Sequence, residues 1–183
     1  NLSKSNSSNE EENVQSLIFM ELAKHGDFAS LIRTKTVPKD EKFTRTYFRQ
    51  LIEGLEYLHK NQIYHYNLRL EDLLVGKGHM LKITNYGFEF DYRNKNYQAP
   101  ELDFERNVDP KAVDIFALGV ILFVMRFHIF PFVNDIPLLA HDFYRLLSKG
   151  YEHFWERLTE VYGNNFNCSE NFKILFSKMT HPD

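Results

Sequence analysis

The chain has 183 residues, and its 22 Lys and Arg against 25 Asp and Glu give a formal net charge of −3 at pH 7. This near-neutral charge argues against a nucleic-acid surface or an anionic membrane surface that depends on bulk charge. The longest strongly apolar run, residues 115–125, is shorter than the roughly 20 residues needed to cross a bilayer. A single cysteine, Cys168, cannot form an intrachain disulfide, so we expect a soluble, intracellular, cytoplasmic protein.

The first third of the chain changes from a polar segment to apolar patterns. Residues 1–15 are polar and low in complexity, which predicts a flexible segment because they offer little to bury. Residues 16–22 form a short apolar run, which favours a buried strand. A short helix is expected over residues 27–36. A long amphipathic helix is expected over residues 40–60, where Asp40 can cap the start.

The remainder of the chain predicts one small hairpin and three further helices. Gly76 and Gly78 lie between two short apolar segments and indicate a tight hairpin turn. Asp109 and Pro110 have the residue types of an N-cap and a first helical position, and the helix that follows is apolar on nearly every side. Amphipathic helices are also expected over residues 136–149 and 169–179. The predicted fold class is α+β, mostly helical with a little β structure.

Five motifs occur in the order found in one enzyme family. Residues 65–75 read HYNLRLEDLLV, which resembles the catalytic loop H-R-D-L-K-x-x-N of eukaryotic protein kinases and its following apolar strand. Residues 85–87, Asn-Tyr-Gly, stand in the place of D-F-G, and residues 99–101 match A-P-E. The D-x-x-x-x-G of the family's central helix is similar to the motif that begins at Asp114, and residues 19–23 resemble the hinge strand between the two kinase lobes.

The resemblance implies a protein-kinase-like domain over residues 16–183, consisting of the hinge strand and the helical C-lobe with its small β hairpin. The resemblance leans towards the serine/threonine kinases of the calcium/calmodulin-dependent type. The Gly-rich loop, the V-A-I-K lysine and its partner glutamate have no counterparts in the sequence, so the N-lobe is expected to be largely absent.

Several replacements imply that catalysis is impaired. In the family the H-R-D aspartate accepts the proton of the substrate hydroxyl, whereas here Asn67 offers a neutral amide. The family's metal-binding D-F-G aspartate is Asn85, a poorer ligand for Mg²⁺. The arginine that grips a phosphorylated activation segment is replaced by Tyr66, and residues 88–98 contain no Ser or Thr. Loss of a positioned general base costs about 10²–10⁴ in rate.

Two charged residues keep part of the expected chemistry. Arg69 stands where the family has a lysine that contacts the transferred phosphate, and it retains the positive charge. Asp72 replaces the asparagine that binds a second metal ion, so Asp72 and Asn85 form the candidate metal pair with one carboxylate at the exchanged position. ATP and Mg²⁺ are the cofactors that the resemblance implies, and the replacements weaken the expectation of both.

Four residues are candidates for nucleotide binding by resemblance. Glu21 and Ala23 belong to the hinge, and Leu74 would form the floor of an adenine pocket or simply pack in the core. Asp27 would contact a ribose hydroxyl or cap the following helix, and the sequence leaves both readings open.

Three structural roles are also predicted. His65 is interpreted as a core histidine rather than a catalytic one, and Asp114 is expected to tie the central helix to the catalytic loop. Core packing is expected to bury most of the large aromatic residues near the last helices, although an exposed patch there would suit a protein partner; these residues are Phe127, Phe130, Phe132, Phe154 and Trp155.

Three functional readings remain open at this point. The preferred one is a catalytically impaired pseudokinase that acts as a scaffold or regulator for a protein partner or a regulated kinase. The alternative is an active ATP-dependent serine/threonine kinase that uses Asp72 for metal and Arg69 for phosphate. The third is a degenerating gene product without a selected role. None of these readings involves nucleic acid or a membrane.

Overall fold

The computed structural model describes residues 19–86, 95–103, 108–132, 150–163 and 166–181. The helices are α1 Phe28–Arg33, α2 Glu41–Lys60, α3 Pro110–Phe127, α4 Tyr151–Tyr162 and α5 Glu170–Met179. The strands are β1 Leu73–Val75 and β2 Leu81–Ile83. Short 3₁₀ turns occupy Leu70–Asp72, Lys77–His79, Lys95–Tyr97 and Pro100–Asp103. The predicted α+β class with a mainly helical body is confirmed.

Helix α2 begins and packs as its sequence predicts. The Asp40 carboxylate accepts a hydrogen bond from the Phe43 amide at 2.7 Å, which satisfies one of the free N–H groups of the first turn. One face of the helix is buried, with Phe48, Leu51 and Leu55 at most 4% exposed. This apolar face holds the helix against the rest of the body, because isolated helices gain little from propensity alone.

The β1–β2 hairpin is antiparallel and lies against α2. Its register pairs Leu74 with Lys82 across the two strands. The Leu81 amide donates to the Gln50 side chain of α2 at 2.8 Å. The Ile83 side chain packs directly against Gly54 of α2. A Cβ atom at position 54 would lie only 3.0 Å from Ile83 Cδ1. The predicted hairpin is confirmed, and its contacts with α2 fix the position of the loop that precedes β1.

Helix α3 is the buried centre of the fold. Asp109 caps it by accepting from the Lys111 amide at 2.9 Å, and Pro110 occupies the first helical position, as predicted. Most of its side chains from Val113 onward are buried. The C-terminal end of α5 lies very close to Gly119 of α3. A Cβ atom at position 119 would lie only 2.7 Å from Thr180 Cγ2. This glycine is therefore required by a close approach of two elements.

The large aromatic residues form a core between α3, α4 and α5. Phe127, Phe154 and Trp155 are each at most 5% exposed, and Phe130 and Phe132 are partly buried against the same cluster. Phe123 of α3 contacts Phe176 of α5 at a ring-centroid distance of 5.1 Å. Core packing is confirmed for these residues, and the alternative of an exposed apolar patch is not supported.

The predicted buried strand over residues 16–22 is wrong where the structure describes it. Phe19 to Leu22 have irregular backbone, and the Phe19 and Leu22 side chains are 94% and 81% exposed. A short apolar run becomes a strand only when a neighbouring strand pairs with its backbone, and the sheet in the described ranges contains β1 and β2 alone.

Two other predictions fall on residues outside the described ranges. The flexible segment over residues 1–15 and the helix over residues 136–149 both stay predictions. Within the described residues, no helix combines the length and the apolar character needed to span a bilayer.

Candidate functional site

The loop before β1 is fastened to the central helix by a buried carboxylate. Asp114 of α3 is 0% exposed and accepts hydrogen bonds from the backbone amides of His65 at 2.9 Å and Tyr66 at 2.8 Å. His59 Nε2 lies 2.8 Å from the same carboxylate. The predicted tie between the central helix and this loop is confirmed, and His59 is a partner that the sequence did not single out.

Tyr66 adopts the left-handed backbone conformation, with φ of 62°. This conformation is unfavourable for a bulky side chain, and it persists here because it presents the Tyr66 amide to Asp114. The ring stands edge-on to Tyr64 at 6.1 Å between centroids. The position that carries an arginine in the family pattern therefore offers a phenol with no positive charge.

His65 is a core residue, as predicted. Its side chain is 1% exposed, and Nε2 lies 2.9 Å from the carbonyl oxygen of Thr84. Because a carbonyl accepts hydrogen bonds, Nε2 is the protonated nitrogen, and Nδ1 is buried without a hydrogen-bond partner in the described part of the chain. The ring links the loop to the residue after β2 and does not reach solvent.

The retained carboxylate, Asp72, is enclosed by two donors. Its side chain is 2% exposed, and Oδ2 accepts from Arg69 Nε at 3.0 Å. Oδ1 accepts from the Asn85 amide nitrogen at 2.7 Å. The structure therefore brings together three of the predicted site residues, and it connects the loop before β1 to the turn after β2.

Backbone hydrogen bonds position this group of three residues. The Asp72 amide donates to the Arg69 carbonyl at 3.1 Å, and the Thr84 amide donates to the Asp72 carbonyl at 2.9 Å. Asn85 has φ of 59°, a left-handed conformation that asparagine tolerates better than most residues. Asn67 is half-buried between Tyr66 and the fully buried Leu68, at the position of the family's general base.

Residues 25–27, which follow the hinge, lie along β1. The His25 amide donates to the Val75 carbonyl at 3.0 Å, and the Val75 amide donates to the Gly26 carbonyl at 2.9 Å. Asp27 and Leu74 face each other in an isolated antiparallel bridge, and Leu74 is half-buried. Two of the four predicted nucleotide-binding residues are thus direct neighbours.

The two candidates in the hinge, Glu21 and Ala23, make local contacts. The Glu21 carboxylate forms an ion pair with Lys82 of β2, and both side chains are about half exposed, at 58% and 50%. The Ala23 carbonyl accepts from the Gly26 amide at 3.2 Å within a turn. An exposed ion pair of this kind contributes little to stability, so Glu21 mainly orients the hinge against the hairpin.

Asp27 caps α1, which is one of the two roles that the sequence left open. Its carboxylate accepts from the Ser30 amide and the Ser30 hydroxyl, both at 2.7 Å. Partial burial raises the pKa of Asp27, but the hydrogen bonds from Ser30 outweigh it and hold the pKa below the ordinary value of 3.8. A carboxylate with two donors already bound is a weaker acceptor for a ribose hydroxyl.

Tyr97 is a residue near the site that the sequence analysis did not identify. It is 5% exposed and stands edge-on to Phe130 at 5.2 Å. Burial and the nearby Glu71 carboxylate raise the pKa of its phenol, so it stays neutral beside the Leu70 backbone. Its position two residues before A-P-E was the available signal, but the sequence did not reveal its burial.

A Mg²⁺ ion fits these residues poorly. Both Asp72 oxygens already accept hydrogen bonds, and Asn85 presents its nitrogen to Asp72. Among the described residues there is no group of three or more His, Cys, Asp or Glu side chains that could hold a metal ion. Hard divalent cations require oxygen ligands, mostly carboxylates and waters.

Comparisons with known proteins agree with the motif pattern. Residues 4–183 match the protein kinase domain family. CBL-interacting protein kinases 26 and 5 of Oryza sativa subsp. japonica are 32% and 33% identical over 181 residues, which covers 90% and 89% of this chain. A probable serine/threonine-protein kinase of Saccharomyces cerevisiae, RTK1, is 28% identical over 148 residues, or 73% of this chain. The chain spans 33%, 38% and 23% of the length of these three relatives.

Proposed function

Because this chain belongs to the protein kinase domain family, we propose that it is a catalytically impaired serine/threonine pseudokinase. Its role is to bind a protein partner as a scaffold or regulator. The serine/threonine class is supported by the yeast relative, which is named a probable serine/threonine-protein kinase.

The observation that carries the proposal is the neutral amide of Asn67 at the position of the general base. A carboxamide cannot accept the substrate hydroxyl's proton at neutral pH, so the attacking oxygen would not be activated or oriented by charge. Loss of such a group costs about 10²–10⁴ in rate. A decrease of this size in the rate of phosphoryl transfer favours a binding role over a catalytic one.

A protein partner is supported by the relatives' names and by the hinge surface. The rice relatives are described as CBL-interacting, so each is named for a protein that it binds. In this chain, Phe19 and Leu22 expose most of their apolar surface, and Met20 is 67% exposed. Contiguous exposed apolar side chains are typical of interaction sites.

Phosphoryl transfer from labelled ATP tests the proposal. The chain, in its longest natural form, is incubated with Mg²⁺ or Mn²⁺ and a general Ser/Thr acceptor such as myelin basic protein. The Asn67→Ala and Arg69→Met variants serve as matched controls. We expect the wild type to incorporate no more label than the two variants. Incorporation by the wild type that Arg69→Met abolishes would refute the proposal, whether or not Asn67→Ala also lowers it.

The same assay examines the alternative of an active kinase with an unorthodox loop. The observations that favour this alternative are the positive charge of Arg69 and the carboxylate of Asp72 beside it. In an active enzyme, Arg69 would neutralise phosphate charge and Asp72 would hold the metal. Activity under this alternative would depend on both side chains, so Asp72→Asn would abolish it as fully as Arg69→Met.

A further inference from the structure

We propose that the guanidinium of Arg69 is the permanent counter-cation of Asp72 and takes the electrostatic place of a divalent metal ion. The inference rests on the proposed function, since it explains how the fold retains a buried carboxylate without metal-dependent catalysis. It concerns the exchanged pair of residues, Asp72 and Asn85, rather than the missing general base.

The geometry of Asp72 leaves little room for a metal ion. The carboxylate is 2% exposed, and each of its oxygens already accepts a hydrogen bond, at 3.0 Å from Arg69 and 2.7 Å from Asn85. A Mg²⁺ ion requires near-octahedral oxygen ligands at about 2.0–2.1 Å. Each oxygen keeps a second lone pair, but at 2% exposure an ion could reach it only if the surrounding side chains moved.

The charge balance of the site also removes the need for a metal. Asp72 contributes one negative charge and Arg69 one positive charge, so the pair is neutral. A divalent ion added to it would leave an excess of two positive charges around one carboxylate. A buried carboxylate without a partner is strongly unfavourable, whereas one with a charge-assisted hydrogen bond is tolerated.

The asparagine at position 85, where the family pattern has an aspartate, completes this arrangement. The Asn85 amide nitrogen donates to Asp72 Oδ1 at 2.7 Å, which an ionised carboxylate at this position could not do. Two carboxylates at that distance would repel each other unless a cation or a proton lay between them. The amide therefore removes the charge that a metal ion would have to balance, and Arg69 balances the charge that remains.

Arg69 is suited to this role by its exposure. Its side chain is 29% exposed, so the guanidinium keeps contact with water through the groups that Asp72 does not use. A guanidinium is more weakly hydrated than an ammonium ion and forms directional bonds with carboxylates. An arginine at this position can therefore be partly desolvated beside Asp72 at a lower cost than the lysine of the family pattern.

Thermal unfolding with and without divalent cations tests the inference. The proteins, in their longest natural form, are the wild type, Arg69→Met, and the double variant Arg69→Met with Asp72→Asn. Arg49→Met is the matched control, because Arg49 pairs with Glu53 on an exposed face of α2. Each protein is melted in EDTA and over a series of MgCl₂ and MnCl₂ concentrations, with ionic strength held constant by NaCl.

We expect the wild type and Arg49→Met to melt at temperatures that do not change with either metal. Arg69→Met should melt at a lower temperature in EDTA and rise in a saturable manner with Mn²⁺ or Mg²⁺, because the metal then supplies the missing positive charge. The double variant should melt above Arg69→Met in EDTA and show no metal response, because it has no carboxylate to balance.

Two results would overturn the inference. One is a saturable metal-dependent rise in the wild type that Asp72→Asn removes, since the metal would then be the counter-cation. The other is an Arg69→Met protein whose melting temperature neither metal raises. If Arg69→Met does not fold in EDTA, recovery of folding by Mn²⁺ or by the second substitution supports the inference, and recovery by neither contradicts it. None of these measurements detects phosphoryl transfer, so the proposed function is tested separately, by the labelled-ATP assay.

Discussion

Replacement of Asp114 by alanine should destabilise the fold strongly, because this carboxylate is the acceptor for the buried backbone amide of His65 and the partly buried amide of Tyr66. The amides of His65 and Tyr66 donate to it at 2.9 and 2.8 Å, and His59 lies at 2.8 Å on the helix α2 side. Removal of the carboxylate leaves these donors in a region where Asp114 itself is 0% exposed.

The magnitude follows from the number of donors left without a partner. Loss of the acceptor costs about 1–3 kcal/mol for the buried His65 amide and less for the partly buried Tyr66 amide, so the two together cost roughly 2–4 kcal/mol. For a protein of 150–250 residues, each kcal/mol lowers the melting temperature by about 2–4 °C. The expected decrease in melting temperature is therefore on the order of 10 °C.

Urea unfolding of the 183-residue chain measures this free energy. Trp155 is the single tryptophan and is 5% exposed in the aromatic core, so its fluorescence reports loss of packing. Asp109→Ala is the matched control on the same helix, because Asp109 is an exposed N-cap worth about 0.5–2 kcal/mol. A variant Asp114→Ala that unfolds at the wild-type urea concentration, or loses no more stability than the control, would refute the reasoning.

Three further substitutions test other parts of the account. Gly119→Ala should lower the free energy of unfolding by roughly 1–3 kcal/mol through overpacking against α5, and an unchanged melting temperature would mean that the two helices separate freely. The double variant Asn67→Asp with Asn85→Asp should not phosphorylate a peptide strongly. The new carboxylate at position 85 would face Asp72 at close range, and residues 88–98 are a short segment for binding a peptide substrate. Strong labelling of a peptide would contradict this. Asp27→Ala should remove a pH-dependent part of the free energy of unfolding. Because the pKa of Asp27 in the folded protein lies below 3.8, its contribution is present above pH 3.8 and is lost as the pH falls through that folded pKa. Equal acid sensitivity of variant and wild type in urea titrations from acid to near-neutral pH would show that the cap does not contribute.

Local signals predicted α1, α2, α3 and α5, because their causes lie within a few residues, but they did not predict α4 Tyr151–Tyr162. Asp40 and Asp109 begin α2 and α3 through hydrogen bonds to amides two or three positions ahead. The periodicity of apolar residues also identified the buried face of α2, since the same spacing that places side chains on one face is visible in the sequence. Such features require no knowledge of distant contacts.

Features that depend on distant partners were harder to predict. Residues 19–22 have the composition of a strand but no strand pairs with them in the described ranges, so their apolar side chains stay exposed. The motif pattern correctly placed Asp114 against the loop, yet it did not identify His59 or Tyr97 as neighbours of the site. Those contacts depend on how α2 and the residues before A-P-E pack, which spacing alone does not determine.

The candidate site illustrates the same limit on a finer scale. The sequence showed that a carboxylate and an amide had exchanged places between positions 72 and 85, and it therefore suggested a weak metal pair. The orientation of Asn85, with its nitrogen towards Asp72, and the approach of Arg69 depend on side-chain rotamers. These contacts are the observations on which the proposed counter-cation role of Arg69 rests.

We propose that this chain does not carry out the metal-dependent nucleotide chemistry of the family. A thermal melt of its longest natural form with ATP, in EDTA and then in Mg²⁺ or Mn²⁺, tests this claim most directly. A ligand at about 100 times its dissociation constant adds roughly 2.7 kcal/mol of stability, which is readily measured. We predict no increase in melting temperature that requires ATP and metal together. A saturable increase that requires both, and that Asp72→Asn abolishes, would contradict the account.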